Sequence, residues 1–455
     1  MKVLKKELNY LNNGFSPCLR LHKNQPVVKN YLAISELLDN KKSELFFDKN
    51  RLNTFEFIKK MWCAAIAQNL GVSLWKEPNT DNLQLVIDLS QKTRLVEADL
   101  EELGTGFLMH KFEKQFEGNS SKSKAYFLEA HLYFDAANDF VVENISTKNK
   151  VQFEKLNQTK KAFFQKLNQL QKEKNCKTPY FYPKNIPTAT TQETHNKAVD
   201  KAIQAMQNEQ FQKVVISRNK FIDLNDDFDA LEAYQKLEQK YKTAFVSLVS
   251  IPRVGTWMCA TPELLVSQDK NGIFRTMALA GTQSGKEVTE LKNALWRQKE
   301  IEEQALVSRY IINCFKKIRL REYEEVGPKT VRAGNLLHLR TEFLVDTVKE
   351  RFPQLATVML ELLHPTSAVC GMPKDITTQF ILENEGYDRG FYAGYLGGIN
   401  FKNGSSLYVQ LRCMQLLEKQ AILYAGGGIT ADSDVEREWK ETEMKCQTIE
   451  SVVFE

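Results

Sequence analysis

Residues 407–448 read LYVQLRCMQLLEKQAILYAGGGITADSDVEREWKETEMKCQT. The stretch opens on a strand-like run, 407–411, that Arg412 ends. It passes through the glycine cluster Gly426-Gly427-Gly428 and closes in a charged helix predicted over 434–448. Upstream the same alternation of types recurs. A helix pattern at 195–208 leads into a strand at 213–217, and further strands are predicted at 244–251, 255–259 and 264–267. A long helix is expected over 291–315 and a glycine-rich segment over 386–404. Hairpin-like strands mixed with helices, without a regular strand-helix repeat, give the class α+β.

The first part of the chain carries fewer chemical signals. Residues 55–70 have the apolar spacing of an amphipathic helix. Residues 83–89 and 124–134 read as strands, with a turn at Gly104-Thr105-Gly106-Phe107 between them. Residues 148–174 read as a solvated surface helix, and 178–191, with three prolines, as a connector. The division follows: 1–190 as an N-terminal part placed by continuity, 191–455 as the core that carries the motifs.

Composition narrows the function. A net charge of +5 spread over 455 residues is too weak to argue for nucleic acid or an acidic membrane surface. It suits a small anionic substrate. The eight cysteines form no C-x-x-C pair and read as reduced thiols. No apolar run follows the N-terminal charges and no window approaches a membrane span, so neither a secretory signal nor a membrane anchor is expected and cytoplasm is the default.

Two acid pairs stand out. Glu300 and Glu303 lie three apart on one predicted helix, Glu438 and Glu441 three apart on another, and residues at that spacing share a face. Opposed, the two faces would set four carboxylates around one hard cation; unopposed, they are ordinary solvated faces. A di-iron carboxylate site would need Glu-x-x-His, and positions 306 and 444 are Leu and Met. Lys445 shares the face of Glu441, either as a helix salt bridge or as a cation for a substrate carboxylate. Arg412 in an apolar run needs a partner, either a protein acid or a bound carboxylate. The glycine clusters lack the context of a nucleotide site. They serve as tight turns, or they let backbone N–H groups approach an anion.

Taken in order, these pieces resemble the chorismate-utilising enzymes. The text that carries the resemblance includes KVVISR at 213–218, ATPEL at 260–264, LAGT at 279–282, KEIEEQ at 299–304, LHL at 337–339, HPTSA at 364–368, RGFYAG at 389–394, Arg412, AGGGI at 425–429, and EWKET at 438–442 with Lys445. The resemblance implies a single large α+β fold, with extended antiparallel sheets enclosing a deep cleft and helices outside. It implies chorismate as substrate and Mg2+ as cofactor. Glu303 and Glu441 would be direct ligands, with Glu300 and Glu438 acting through metal-bound water. Arg412, Tyr392 and the backbone at Gly426 would take the pyruvyl carboxylate. Lys445, Gly281 and Thr282 would place the ring carboxylate, with His338 lining the site.

The same resemblance separates subfamilies. Members that add water are similar in carrying lysine at the position of Lys213, which implies a base. A free lysine titrates at about 10.4, so burial or nearby cations must lower it. Glu263 would be the general acid on the other ring face, its pKa raised toward neutrality. Isochorismate-forming members are similar in the small Ala368, where lyase-type relatives carry threonine. The implied activity is isochorismate synthase, feeding menaquinone or siderophore synthesis, with salicylate synthase as the alternative. Anthranilate-type chemistry is disfavoured by Lys213, and no glutamine amidotransferase partner is expected. A non-catalytic scaffold on the same fold would require losses among these residues. One departure is Gln304, where the family often has histidine.

Overall fold

The strand-forming runs pair edge to edge into two antiparallel sheets. The computed structural model describes residues 54–112, 124–137, 140–143, 149–173, 177–285, 288, 290–333 and 336–454. Cys18, Cys176 and the N-terminal segment read above for a signal lie outside these residues. In chain order the elements are α1 (Thr54–Ala67), β1 (Gly71–Lys76), β2 (Leu83–Asp88), β3 (Arg94–Val96), β4 (Gly106–His110), β5 (Ala125–Glu129), β6 (Leu132–Asp135), β7 (Phe140–Glu143), α2 (Lys150–Leu170), α3 (Gln192–Gln207), β8 (Lys213–Asp223), α4 (Ala230–Lys240), β9 (Phe245–Ile251), β10 (Gly255–Thr261), β11 (Leu264–Gln268), β12 (Ile273–Ser284), a 3-10 turn (Leu291–Asn293), α5 (Gln298–Lys317), β13 (Glu324–Ala333), β14 (Leu336–Asp346), α6 (Leu355–Leu363), β15 (Gly371–Met372), α7 (Lys374–Asn384), β16 (Tyr395–Phe401), β17 (Gly404–Val409), β18 (Cys413–Leu416), β19 (Gln420–Ile429) and α8 (Val435–Phe454).

The first sheet has ten strands in the order β15-β8-β19-β18-β10-β9-β1-β2-β6-β7. The second has nine, in the order β13-β14-β12-β11-β17-β16-β4-β5-β3. Early strands sit inside both: β1 pairs with β9, and β4 with β16. One buried cluster draws Trp75, Phe107, Trp257, Phe343 and Phe401 from both sheets and lies between them. A second draws Trp62, Phe163, Tyr234 and Ile449 from α1, α2, α4 and α8, which cover the outer face of the first sheet. Successive strand residues point to opposite faces. Leu74 therefore enters the second cluster and Trp75 the first, and β1 is buried along its whole length. Among the described residues no helix is long and apolar enough to cross a membrane.

Several boundaries depart from the sequence reading. The single strand expected at 124–134 is two strands in different sheets, β5 in the second and β6 in the first. Both are packed on buried neighbours, so the apolar run hides the crossover at Ala130 and His131. Gly106 belongs to β4 rather than to a turn; a Cβ there would meet Leu128 O at 2.3 Å. The helix expected from 291 starts at Gln298, where Glu300 Oε2 accepts from Arg297 N at 3.0 Å and caps the first turn. The run before Arg412 ends as a strand at Val409, and Arg412 takes a left-handed φ of 39°.

Three contacts set the site elements in place. Gln304, buried on α5, donates through Nε2 to Thr341 Oγ1 of β14 at 2.7 Å and to Ser308 Oγ at 3.1 Å. Arg389 and Glu385 form a buried ion pair, and Glu385 Oε1 accepts from Ser217 N of β8 at 2.7 Å. β15 pairs with the start of β8, Met372 opposite Lys213. Gly371 has φ +135°, and a Cβ there would lie 2.3 Å from Lys213 O. Gly371→Ala is therefore expected to cost at least about 2 kcal/mol of stability from backbone strain and the clash. Thermal and chemical unfolding check it; a midpoint equal to the parent's contradicts the close approach.

Candidate active site

The two sheets and two helices converge on one cavity of about 140 Å3. β19 supplies Gly426 and Gly428, β12 supplies Gly281 and Thr282, and β14 supplies His338. α5 brings Glu300 and Glu303, and α8 brings Glu441 and Lys445. Glu263, Ala368, Tyr392 and Arg412 line it from connecting segments. Of the residues singled out by sequence, twelve line the cavity; Lys213 and Glu438 adjoin it. Lys213 Nζ donates to Glu303 Oε1 at 2.6 Å. Glu438 packs against Gly427, where a Cβ would lie 2.8 Å from its Oε2.

The glycine triplet explains how these groups fit. In β19, Gly426 pairs with Ser217 and Gly428 with Val215 of β8. A Cβ at Gly426 would lie 2.8 Å from the Tyr392 hydroxyl. At Gly428 it would lie 3.0 Å from Lys213 Cε and 3.3 Å from Glu303 Oε1. Each glycine makes room for a different functional side chain, so these are close approaches rather than turns. Gly281 sits at a bulge between β12 and β14 with φ +72°, and its missing side chain admits the backbone of Glu300.

The charges are mostly paired. Glu303 is half-buried, and its desolvation alone would raise its pKa, but the Lys213 pair wins and holds it below the ordinary value. Burial opposes ionisation of Glu441 as well, and Lys445 at 2.6 Å overrides it. Lys445 also donates to Gly426 O at 2.7 Å. Glu438 is pushed up, by burial first and then by Glu441, although Ser433 Oγ donates to its Oε1 at 2.8 Å. Its buried Oε2 has no hydrogen-bond partner among the described residues. Glu263 is buried and its pKa rises to about 7, with Arg412 and Lys213 opposing the rise. His338 is pushed down to about 4 by burial and by Arg412. Its Nδ1 lies 3.0 Å from Gly281 O, which can only accept, so Nδ1 carries the hydrogen.

Among the described residues no carboxylate pairs with Arg412, which lines the cavity. The expected free amine at Lys213 is not what the geometry gives: its Nζ is engaged with Glu303. Nor do three His, Cys, Asp or Glu side chains close on one point among the described residues. Glu303 and Glu441 repel each other electrostatically and offer only oxygen donors, with the unpartnered Glu438 Oε2 behind. That set fits a hard cation, since magnesium takes one or two carboxylates and keeps several waters.

Sequence reasoning gave no site role to Lys299 or Val369, which also line the cavity. Lys299 is four residues before Glu303, a spacing that marks a shared helix face. Gln304, the departure from the family's histidine, points away from the acids to bind β14.

A cavity that gathers two lysines, an arginine, a buried acid and paired carboxylates suits acid–base chemistry on a small anionic molecule. The model of the chorismate binding enzyme family matches residues 29–454, and the chain belongs to that family. Isochorismate synthase EntC of Escherichia coli K12 is 30% identical over 274 residues, covering 59% of this chain and 68% of EntC. Isochorismate synthase DhbC of Bacillus subtilis 168 is 28% identical over 273 residues, covering 56% of this chain and 67% of DhbC. The solved structure of the menaquinone-specific isochorismate synthase MenF from Escherichia coli has the same fold, with a TM-score of 0.70 at 18% identity, covering 94% of this chain and all of that one.

The His338 environment generates a prediction that needs no substrate. Its imidazole should stay neutral at pH 7 and protonate only near pH 4. Histidine titration by NMR, assigned with His338→Gln, checks this; a midpoint near the free value of about 6.5 contradicts it.

Proposed function

We propose that the protein is a magnesium-dependent isochorismate synthase that converts chorismate to isochorismate. The observation that carries this reading is Glu263. It is a buried carboxyl with a pKa near 7, facing the same cavity as Arg412 and adjoining the Lys213–Glu303 pair. A cleft of paired charges becomes capable of acid catalysis when one acid is held protonatable at neutral pH.

In this reading Arg412 and Tyr392 take the pyruvyl carboxylate, with the backbone at Gly426 beside them. Lys445, Gly281 and Thr282 place the ring carboxylate, and His338 lines the site as a neutral ring. Lys213, parted from Glu303 and having first given its extra proton to solvent, accepts as the neutral amine a proton from water as that water's oxygen bonds to ring C2. The ring double bonds shift, the C4–O bond breaks, and Glu263 gives its proton to the departing hydroxyl, which leaves as water. One water enters and one leaves, so the sum is an isomerisation. Bound through Glu303 and Glu441, with Glu300 and Glu438 behind them, magnesium would neutralise and orient the ring carboxylate.

The small Ala368 at the cavity wall supports isochorismate rather than salicylate as product. The product would enter menaquinone or siderophore synthesis. Six free, buried cysteines among the described residues suit a reducing compartment, the cytoplasm. Both parts of the chain, before and after residue 190, are read as one domain, because strands from each share both sheets.

Incubation of the pure protein with chorismate should give isochorismate with magnesium and none after chelation, as read by chromatography. Salicylate as the main product, or no turnover, overturns the reading. Lys213→Ala should abolish turnover while chorismate binding stays measurable by calorimetry; retained turnover removes Lys213 as the base. Glu303→Gln should weaken the magnesium response sharply, and an unchanged metal titration removes it as a ligand.

A further inference from the structure

Glu263 stands between two cavities. One is the substrate cleft. The other is a small cavity of about 10 Å3 on the far side, lined by Glu263, Thr276, Val307, Tyr310, Leu363 and Thr366 among others. That volume is close to what one water occupies, provided the site offers polar partners.

The hydroxyl donors there are accounted for, with one exception. Thr276 Oγ1 donates to Leu265 O at 2.7 Å. The Tyr310 hydroxyl donates to Leu362 O at 2.8 Å. Thr366 is 9% exposed, and its hydroxyl has no hydrogen-bond partner among the described residues. Its backbone is fixed, since Thr366 O accepts from Val369 N and Cys370 N, both at 3.0 Å. Thr366, which lines the small cavity, is thus held in place by the turn that also presents Ala368 and Val369 to the cleft. The neighbouring Ser367 Oγ is also buried and unpartnered, but Ser367 lines neither cavity. Buried hydroxyls are retained where something completes them.

We infer that Thr366 is a positioning residue for Glu263: its hydroxyl and the Glu263 carboxyl hold one water between them in the small cavity, which keeps the carboxyl turned to the cleft. The inference rests on the reading of Glu263 as the general acid. The charges acting on Glu263 are Arg412 from the segment before β18 and Lys213 from β8; His338 of β14, Tyr392, Lys299, Glu300 and Glu303 of α5, and Glu441 and Lys445 of α8 line the same cleft, and Tyr310 of α5 lines the small cavity. The Tyr310 and Thr276 hydroxyls donate to backbone carbonyls, so of the hydroxyls lining the small cavity only that of Thr366 keeps its proton free for that water. With valine at 366 the water loses a partner and the cavity dries. The ionised carboxylate then loses solvation, and its titration moves upward.

The test uses Thr366→Val and Thr366→Ser in the full chain. The Glu263 carboxyl band is isolated by infrared difference against Glu263→Gln and followed with pH. In Thr366→Val its midpoint should rise by about half a unit or more from the parent value. Thr366→Ser should restore it. In turnover, Thr366→Val should lower kcat by about fivefold with KM little changed, and carry the alkaline limb upward with the infrared midpoint. An unchanged midpoint in Thr366→Val, or equal shifts in Val and Ser, overturns the inference. If Thr366→Val does not fold, a high-resolution crystal structure of the parent decides: a water within hydrogen-bond reach of both groups supports it, and a dry cavity overturns it. Absence of chorismate turnover by the parent would defeat the functional reading alone, because the infrared midpoint is read without substrate.

Discussion

Charges brought together in a buried cleft must be paired or must serve as partners for something bound. That constraint organises the site. An isolated ion in a low-dielectric interior is costly, and removing one member of a buried pair leaves the other uncompensated. Lys213 therefore meets Glu303 and Lys445 meets Glu441, each at 2.6 Å. The first pair joins β8 to α5, and the second is internal to α8, whose Lys445 also holds the backbone of Gly426 on β19. Three groups depart from the pattern: Glu263, whose burial holds it near neutrality, Glu438, which burial and Glu441 push up, and Arg412, which has no acid partner among the described residues. In the proposed function Glu263 serves as the proton donor and Arg412 as the carboxylate clamp.

The scaffold makes this crowding possible. β19 runs antiparallel to β8 with Gly426, Gly427 and Gly428 opposite Ser217, Ile216 and Val215. Side chains at those three positions would occupy the space used by Tyr392, Glu438 and the Lys213–Glu303 pair. Gln304 fastens α5 to β14, and the buried Arg389–Glu385 pair fastens β8 from behind. The acids are thus carried on elements whose own positions are fixed by contacts outside the cleft, which is how a preorganised site is built.

The α+β class and most elements were legible from apolar periodicity, and the acid pairs from helical spacing. Other features were hidden for identifiable reasons. The passage from β5 to β6 is masked because both strands are packed on buried neighbours, so no polar turn marks the change of sheet. The start of α5 depends on a side-chain cap by Glu300, a residue read only as a carboxylate. The left-handed φ of Arg412 lies in a run that reads as continuous strand. Individual site residues had equally good bland readings, and only their order along the chain, matched to a family, selected the functional ones. The Lys213–Glu303 contact joins residues 90 positions apart, a tertiary fact that local pattern does not carry. The glycine triplet was noticed, but its purpose, space for three different side chains, required the register of β8 and β19.

The central claim is that one face of the bound ring receives an oxygen from water while the opposite face releases its hydroxyl to Glu263. Turnover of chorismate in water enriched in oxygen-18 tests it most directly. The account predicts isochorismate carrying one heavy oxygen, located at the C2 hydroxyl by mass spectrometry. Isochorismate that retains only the oxygens of the starting chorismate would contradict it, because the hydroxyl would then have migrated without exchange.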